Sequence, residues 1–353
     1  MAEKNLVGVD IGTSSIKVVQ LKESRKRYSV VRYGFAPLPP QTIVDGHIMS
    51  AGTVTVTLMR VFRDNRITQK DVAIGVYGQS VIVRKITVPM MTPDELEEQI
   101  NWEAEQHIPF DIKVMSIDYE VLRQRPEAGQ MDLLLVAAKR DEINDYAAIV
   151  REAKLKPVVV DINAFTVQNI FEHVMTLPQD QTIALLNVGA TISSLNIISK
   201  GISAFTREIT NAGNAVTEEI IRQLGGGISF EQAEAYKLSA VQPHTVPQQV
   251  HAALSSSCET LAGEIQRSLD FYLATSGETE IARIYMCGGS AYLGALAVAI
   301  EKRARVPVTL FDPMANLNVD AKNVNEADLR NRASQMVVAI GLALRCEKER
   351  RAA

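Results

Sequence analysis

LVGVDIGTSSIKVVQL, residues 6–21, decides how the rest of the chain is read. An apolar run ends in Asp10, the chain passes through Gly12-Thr13-Ser14-Ser15, and a second β-rich run follows at once. This is the pattern of a strand, a tight turn and a strand. Such a turn aims several backbone N–H groups and hydroxyls at one anion, and Gly12 lets the backbone approach without a side chain in the way. Asp10, at the strand end, is placed to hold a divalent ion through water, and Lys17 adds positive charge beside it. A hairpin with a small polar turn also occurs without any ligand, so the reading depends on whether the chain repeats it.

It does so in residues 183–198, IALLNVGATISSLNII. Asn187, Gly189 and Thr191 echo Asp10, Gly12 and Thr13 or Ser14, and Ala190 lies between them. Two such units, each heading one half of the chain, could clamp a polyphosphate from both sides. Between them, residues 28–33 read as a third strand, 50–65 as a helix with Val54, Leu58, Val61 and Phe62 at helical spacing, and 72–76 and 80–88 as strands. This is the plan of one α/β half.

After Pro89 the composition changes. Thr92-Pro93-Asp94-Glu95 starts a helix to about His107, with Pro at its first position and acids in its first turn. Strands over 116–123 and 131–138 and a helix over 141–154 complete a small α+β insert at 89–157, read either as a passive lobe or as a partner-binding module. A strand at 158–160 then ends in Asp161-Ile162-Asn163. This polar pair can orient a water, but Asn163 is also a favoured helix-capping type, and on the residues alone the cap is preferred.

Beyond the second hairpin, Asn211-Ala212-Gly213-Asn214 precedes a helix to about Leu224, and Ser229-Phe230-Glu231-Gln232 has the capping-box form. On the helix it starts, Glu234 and Lys237 share a face, and the residues alone favour a surface ion pair. Glu264 and Arg267, on a long helix over 254–273, read as another solvated pair. A strand over 281–286 leads through Cys287-Gly288-Gly289-Ser290 into a helix, a turn that lets a flat ring or a sugar lie against the backbone. A strand over 306–310 and a final helix over 328–347 close the chain.

The bulk properties limit the function classes. At 353 residues the chain exceeds the usual size of one core, so two domains are expected, and 46% apolar residues suffice to fill them. A net charge of −4 without a basic stripe argues against nucleic acid as a partner. Cys258, Cys287 and Cys346 form no CxxC, and the five histidines have no ligand spacing, which fits a reducing cytoplasm without a zinc site. The opening MAEKN lacks the apolar run of a signal peptide, and no window is long enough to cross a bilayer. Membrane association is therefore expected only through a partner.

The segments VDIGTSSIK, VVVDINAF, LLNVGATIS and MCGGSAYL stand in the order found in the actin-like ATPase superfamily. PLPPQTIVDGHI, FEQAEAYK, VVAIGLALR and the insert helix ELEEQINWEAEQHIPF are similar to FtsA-type and, more closely, PilM-type members, and the resemblance covers essentially the whole chain. It implies an α/β, actin-like two-domain fold, each half an RNase H-like mixed sheet flanked by helices, with an FtsA-type α+β insert. The implied divisions are 1–88 and 158–180 for the first domain, 89–157 for the insert, 181–325 for the second domain and 326–353 for a C-terminal helix packing back on the first.

The resemblance also implies ATP and Mg2+ between the halves. Asp10, Gly12, Thr13, Ser14, Ser15 and Lys17 would form the first phosphate loop, and Asn187, Gly189, Ala190 and Thr191 the second. Gly213 would lie near the phosphate and ribose. Glu234 and Lys237 would reach the adenosine, against the surface-pair reading, backed by Gly288, Gly289 and Ser290. Asn163 falls at the water-orienting position. Many relatives carry Asp where Asn187 stands, and an amide cannot supply that charge. Asp161 is then the one obvious candidate base, so tight magnesium-assisted ATP binding with slow or absent hydrolysis is expected.

The partner implied is the N-terminal cytoplasmic peptide of the inner-membrane protein PilN, captured between first domain and insert. Ile100, Trp102 and Ile108 are its candidate contacts, and a link to the pilus motor ATPase, direct or indirect, is implied with it. The ending CEKERRAA carries no amphipathic helix of the FtsA kind, which fits recruitment through PilN. Two alternatives follow from the same superfamily: a self-associating, filament-forming ATPase, and a small-molecule kinase using Asp161 as base.

Overall fold

The computed structural model describes residues 5–25, 27–79, 81–177, 180–240 and 246–346. The first lobe starts with β1 (Val7–Ile11), β2 (Ser15–Ser24) and β3 (Arg27–Pro37), a short pair β4 (Ile43–Val44) and β5 (His47–Ile48), α1 (Ala51–Asp64) and β6 (Asp71–Val76). Next come β7 (Ile82–Pro89), α2 (Pro93–Glu105), β8 (Met115–Arg125), β9 (Gln130–Lys139) and α3 (Arg140–Glu152). The chain returns through β10 (Lys156–Ile162) and α4 (Asn163–Val174). The second lobe holds β11 (Thr182–Val188), β12 (Ser193–Ser199), β13 (Ile202–Ile209), α5 (Gly213–Gln223), α6 (Phe230–Ser239), α7 (Gln248–Ser276), β14 (Arg283–Cys287), α8 (Gly294–Ala304) and β15 (Val308–Leu310). Last are β16 (Asn318–Val319), α9 (Glu326–Asn331) and α10 (Val337–Ala343).

The repeat read in the two hairpins extends to whole sheets. The first sheet has the order β10-β6-β1-β2-β3-β16 and the second β13-β12-β11-β14-β15. In each, a three-strand antiparallel meander is continued by two strands parallel to its first member. The central strands are buried on both faces and read as near-continuous apolar runs for that reason. Val7, Val9 and Ile11 pack outward with Leu58, Phe62 and Ile149. In the second lobe Leu186 and Val188 pack outward with Ile220, Leu261 and Ile300.

Between the sheets lies a third core, formed by α4, α10 and the inner strand faces, including Phe171, Leu185, Met336 and Leu342. All seven residues of α10 are buried. A Cβ on Gly8 would collide with the backbone of Ala339 and Ala343, and one on Gly341 with the Thr166 carbonyl, so two glycines let this helix touch β1 and α4 directly.

Several expectations change. The strand expected over 80–88 as part of the first half is β7, which instead pairs antiparallel with β9 in a separate sheet of order β7-β9-β8. Pro89 closes an edge strand, where a missing N–H costs little, and marks no boundary. Conversely, the helix closing the expected insert, α3, sends Tyr146, Ile149 and Val150 into the first-lobe core. The third strand of the second meander, β13, has no counterpart among the expected elements. The single helix expected over 328–347 is divided: a 3-10 turn, Ala333–Met336, separates α9 from α10. Ser334 holds that turn, its hydroxyl donating to the Gly288 carbonyl at 3.1 Å and its own carbonyl accepting from Gly288 N–H at 3.0 Å. Ser80, residues 241–245 of the expected loop, and Glu347 with the charged segment after it lie outside the described residues.

Gly8→Ala and Gly341→Ala are each expected to destabilise the protein by about 1–3 kcal/mol, as overpacked cores do. Urea unfolding would check this, with Gly52→Ala in α1, whose added methyl meets nothing and which is expected to stabilise by up to about 1 kcal/mol, as the clash-free control.

Candidate functional site

The first turn closes on itself: Gly12 N–H donates to the Ser15 carbonyl at 3.1 Å, and Leu38 N–H pins the Ser14 carbonyl at 2.9 Å. Asp10 and Lys17 are direct cross-strand partners, which places both side chains on one face. The Lys17 ammonium donates to Asp10 Oδ2 at 3.0 Å, and both side chains are nearly enclosed. The second turn has the same closure, Gly189 N–H to the Ile192 carbonyl at 3.0 Å. Its outer carbonyls are taken up: Gly189 O accepts from Gly213 N–H at 3.1 Å and from the Ser290 hydroxyl at 3.0 Å, and Ala190 O accepts from Asn214 N–H at 2.7 Å. A Cβ on Gly213 would strike Ser290 Oγ, so the start of α5 needs glycine to reach the turn.

The two turns meet tip to tip. Thr13 Oγ1 and Thr191 Oγ1 are 2.9 Å apart, and Tyr77 places its hydroxyl 3.3 Å from Thr13. Burial, with Asp10 and Glu208 nearby, raises the Tyr77 phenol above its ordinary pKa, while the Thr13 hydroxyl partly offsets this. Among the described residues, no acceptor takes the N–H groups of Thr13, Ser14, Ala190 or Thr191. The junction therefore offers free backbone donors, hydroxyls and one ammonium around one spot, a donor set suited to phosphate oxygens. An anion entering it must part the two threonines.

Asn163 is the first residue of α4, and Ile162 occupies the cap position. The preferred capping role is thus not observed, because the side chain turns back over Gly75, whose missing Cβ leaves it room. Asn163 Oδ1 is buried and, among the described residues, has no hydrogen-bond partner. Asp161 is less available: its Oδ1 accepts the following N–H at 2.7 Å and its Oδ2 faces Arg345 Nε at 3.4 Å.

The cleft face of the second sheet carries one row of three groups. Asn187, Ser194 and Glu208 are directly opposed across β11, β12 and β13 and so share that face. The sequence reading missed Ser194 and Glu208. Ser194 could have been found from the alternation of the second hairpin. Glu208 could not, without β13. Burial raises the Glu208 carboxyl to about 7, with the Ser194 hydroxyl pulling it partly back.

The family model of the type IV pilus assembly protein PilM matches residues 8–347. The chain belongs to the PilM family. Among solved structures it is similar to the "PilM-PilN type IV pilus biogenesis complex", at 25% identity and a TM-score of 0.86, covering 97% of this chain and 98% of that one. It also resembles the ethanolamine utilization protein EutJ from Carboxydothermus hydrogenoformans, with 13% identity, TM-score 0.57, and coverage of 98% and 90%. ADP-bound MreB5 of Spiroplasma citri matches at 12% identity and a TM-score of 0.52, with coverage of 96% and 94%. The last two establish the fold alone: a two-domain, actin-like α/β architecture.

In this PilM-family chain the remaining expected site residues divide. Lys237 is buried, its ammonium donating to the Gly213 carbonyl at 3.0 Å and Thr217 Oγ1 at 2.9 Å while pairing with Glu234 at 2.6 Å. It is no surface pair. It ties α6 to the start of α5, and burial lowers the Lys237 pKa while Glu234 opposes that shift. Gly288 adopts φ +99°, and Ser290 is spent on Gly189. The helix expected to follow at once begins only at Gly294, after a turn closed by Leu293 N–H on the Ser290 carbonyl at 3.1 Å. Gly289 is open: among the described residues, a side chain there would meet Gln335 alone, at 3.7 Å from its Cβ. The Glu264–Arg267 pair is replaced by a bond from Asn211 to Glu264 at 2.9 Å. Far from the cleft, Ile100 and Ile108 are 6% and 5% exposed in the core of the α2 sheet, whereas Trp102 is 63% exposed. Of these three, Trp102 alone presents a large surface.

Lys17→Met, which leaves Asp10 enclosed without its cation, is expected to cost on the order of 3 kcal/mol. Urea unfolding should show that adding Asp10→Asn recovers most of it, because the charge itself is then gone.

Proposed function

We propose that this chain is a cytoplasmic, ATP-binding adaptor of the type IV pilus inner-membrane machine. It would bind the N-terminal peptide of a PilN-type membrane protein and link it to the pilus motor. The observation that carries the reading is the mutual coverage of 97% and 98% with a chain of the "PilM-PilN type IV pilus biogenesis complex" at a TM-score of 0.86. Among the described residues no helix is long and apolar enough to cross a membrane, consistent with attachment through such a partner.

ATP with Mg2+ suits the junction of the two turns. Lys17 and the free N–H groups of Thr13, Ser14, Ala190 and Thr191 would hold phosphate oxygens, and Asp10 would hold the metal through water. Bound there, the nucleotide supplies a polyanion and a divalent cation that the protein itself lacks. Asn163 Oδ1, buried and without a partner among the described residues, would accept a bond from a water. Turnover is expected to be slow, because Asn187 is an amide where a carboxylate would activate that water, and Asp161 is engaged with Arg345.

For the peptide, the three-stranded sheet and α2 form a lobe beside the first domain, and Val136, Ile143 and Phe165 line the junction with Ile162 and Ala164. Trp102 on α2 offers an exposed aromatic anchor on the same lobe. Of the three candidate contacts for this partner only Trp102 stays, since Ile100 and Ile108 serve the lobe's own core.

Calorimetric titration of a PilN N-terminal peptide, with and without ATP and magnesium, tests the adaptor. Binding that strengthens about tenfold with nucleotide is expected, within the usual range of coupling between two sites. Trp102→Ala should weaken it without changing the melting temperature. An absence of binding in both states would remove the adaptor reading.

A further inference from the structure

Glu208 stands on the cleft face of the second sheet, in one row with Ser194 and Asn187. Its Oε2 is enclosed and, among the described residues, has no hydrogen-bond partner. The groups around it do not neutralise it. Ser194, from β12, offers a hydroxyl. From the first lobe comes the Tyr77 phenol, which senses both Glu208 and Asp10. The Lys17 ammonium pairs with Asp10 at 3.0 Å. The edge strand β7 runs beside β13. Its Lys85 is turned to Asp132 at 3.7 Å, and its Arg84 donates to the Val83 carbonyl at 3.1 Å.

A carboxylate without a cation, facing the place proposed for a polyphosphate, is repelled by it through a medium of low dielectric. A neutral carboxyl at the same place is a donor. Resting on the nucleotide reading above, we propose that Glu208 is a further phosphate-facing residue of the cleft, acting as a protonated carboxyl, so that nucleotide and proton bind together. The proton comes from solvent, adds to the Glu208 carboxylate when the anion arrives and returns to solvent when the anion leaves. With the carboxyl at about 7 in the free protein, roughly half the molecules are ionised at pH 7 and must take up a proton on binding. The sign follows: affinity is highest below pH 7 and falls as pH rises, by up to about tenfold per pH unit.

The test is calorimetry with the non-hydrolysable analogue AMP-PNP and excess magnesium, which keeps the nucleotide's own phosphates ionised. It is run from pH 6 to pH 8.5, in two buffers of different ionisation enthalpy, on the full chain and on Glu208→Gln. For the natural chain the expected result is net uptake of about half a proton at pH 7, rising toward one at pH 8. In Glu208→Gln, an isosteric neutral donor, uptake should vanish and affinity should become flat with pH, exceeding that of the natural chain by about tenfold at pH 8. Nucleotide binding without proton uptake, or uptake unchanged in Glu208→Gln, would overturn the role of Glu208 while leaving the nucleotide reading intact. Failure of both proteins to bind the analogue at any pH would remove the nucleotide reading and this inference with it.

Discussion

A helix with no exposed side holds the molecule in register. Val337–Ala343 is buried at every position, between β1 on one side and α4 on the other. Full burial of its Val, Ile and Leu side chains is worth about 1.5–3 kcal/mol each. That gain requires backbone to approach backbone, which Gly8 and Gly341 permit. The 3-10 turn before the helix is bonded in both directions to Gly288 of the second lobe. One short segment thus fixes both sheets, and so decides where the hairpin turns they carry will meet. The 2.9 Å contact of Thr13 and Thr191 is a consequence of that placement.

The turns were legible because their pattern is local. An apolar run, a polar residue, a glycine and small hydroxyl residues dictate a hairpin wherever they occur, and the repetition at residues 183–198 identifies the two halves as copies. What escaped the sequence depends on long-range pairing. Pro89 reads as a break between units, yet it closes an edge strand whose partner, β9, lies over forty residues on. Ile100 and Ile108 resemble surface anchors, but helical spacing aims Ile100 at the sheet beneath α2, and Ile108, past the end of that helix, turns into the same core. Asn163 has the chemistry of a cap, and the absence of a side chain at Gly75 gives it another place to go. Lys237 is a lysine three residues from a glutamate, and only the carbonyl of Gly213, twenty-four residues earlier, makes it an internal tie.

In the nucleotide reading proposed above, the charge pattern of the cleft weighs against rapid turnover. A hydrolytic site for a phosphoanhydride needs an ionisable group beside the attacked phosphate that takes a proton from water. Here Asp10 is compensated by Lys17, Asp161 is turned to Arg345, and the positions facing the turns from the adjoining strand and helix are the amides Asn187 and Asn163. Amides orient a water but do not ionise. The same amides exert none of the repulsion that fixed carboxylates would exert on a polyanion. In the adaptor proposed above, such a cleft would retain its nucleotide rather than consume it.

Glu208 is the exception to that pattern, and its position explains why it can be tolerated. A carboxylate in the same sheet row as Asn187 would cancel the advantage of the amide if it stayed ionised. Enclosure without a cation raises its proton affinity, so the cleft can be made neutral by the solvent itself. Asn187, by contrast, is neutral at every pH. The two residues therefore act on different terms, Asn187 removing charge permanently and Glu208 removing it only when an anion is present or the medium is acidic. Because Ser194 lies between them on the middle strand, its hydroxyl can serve either neighbour, donating to an ionised Glu208 or, once that carboxyl is protonated, turning toward the cleft. Protonation would then change two donors on the phosphate-facing surface at once, with no movement of the backbone that carries them.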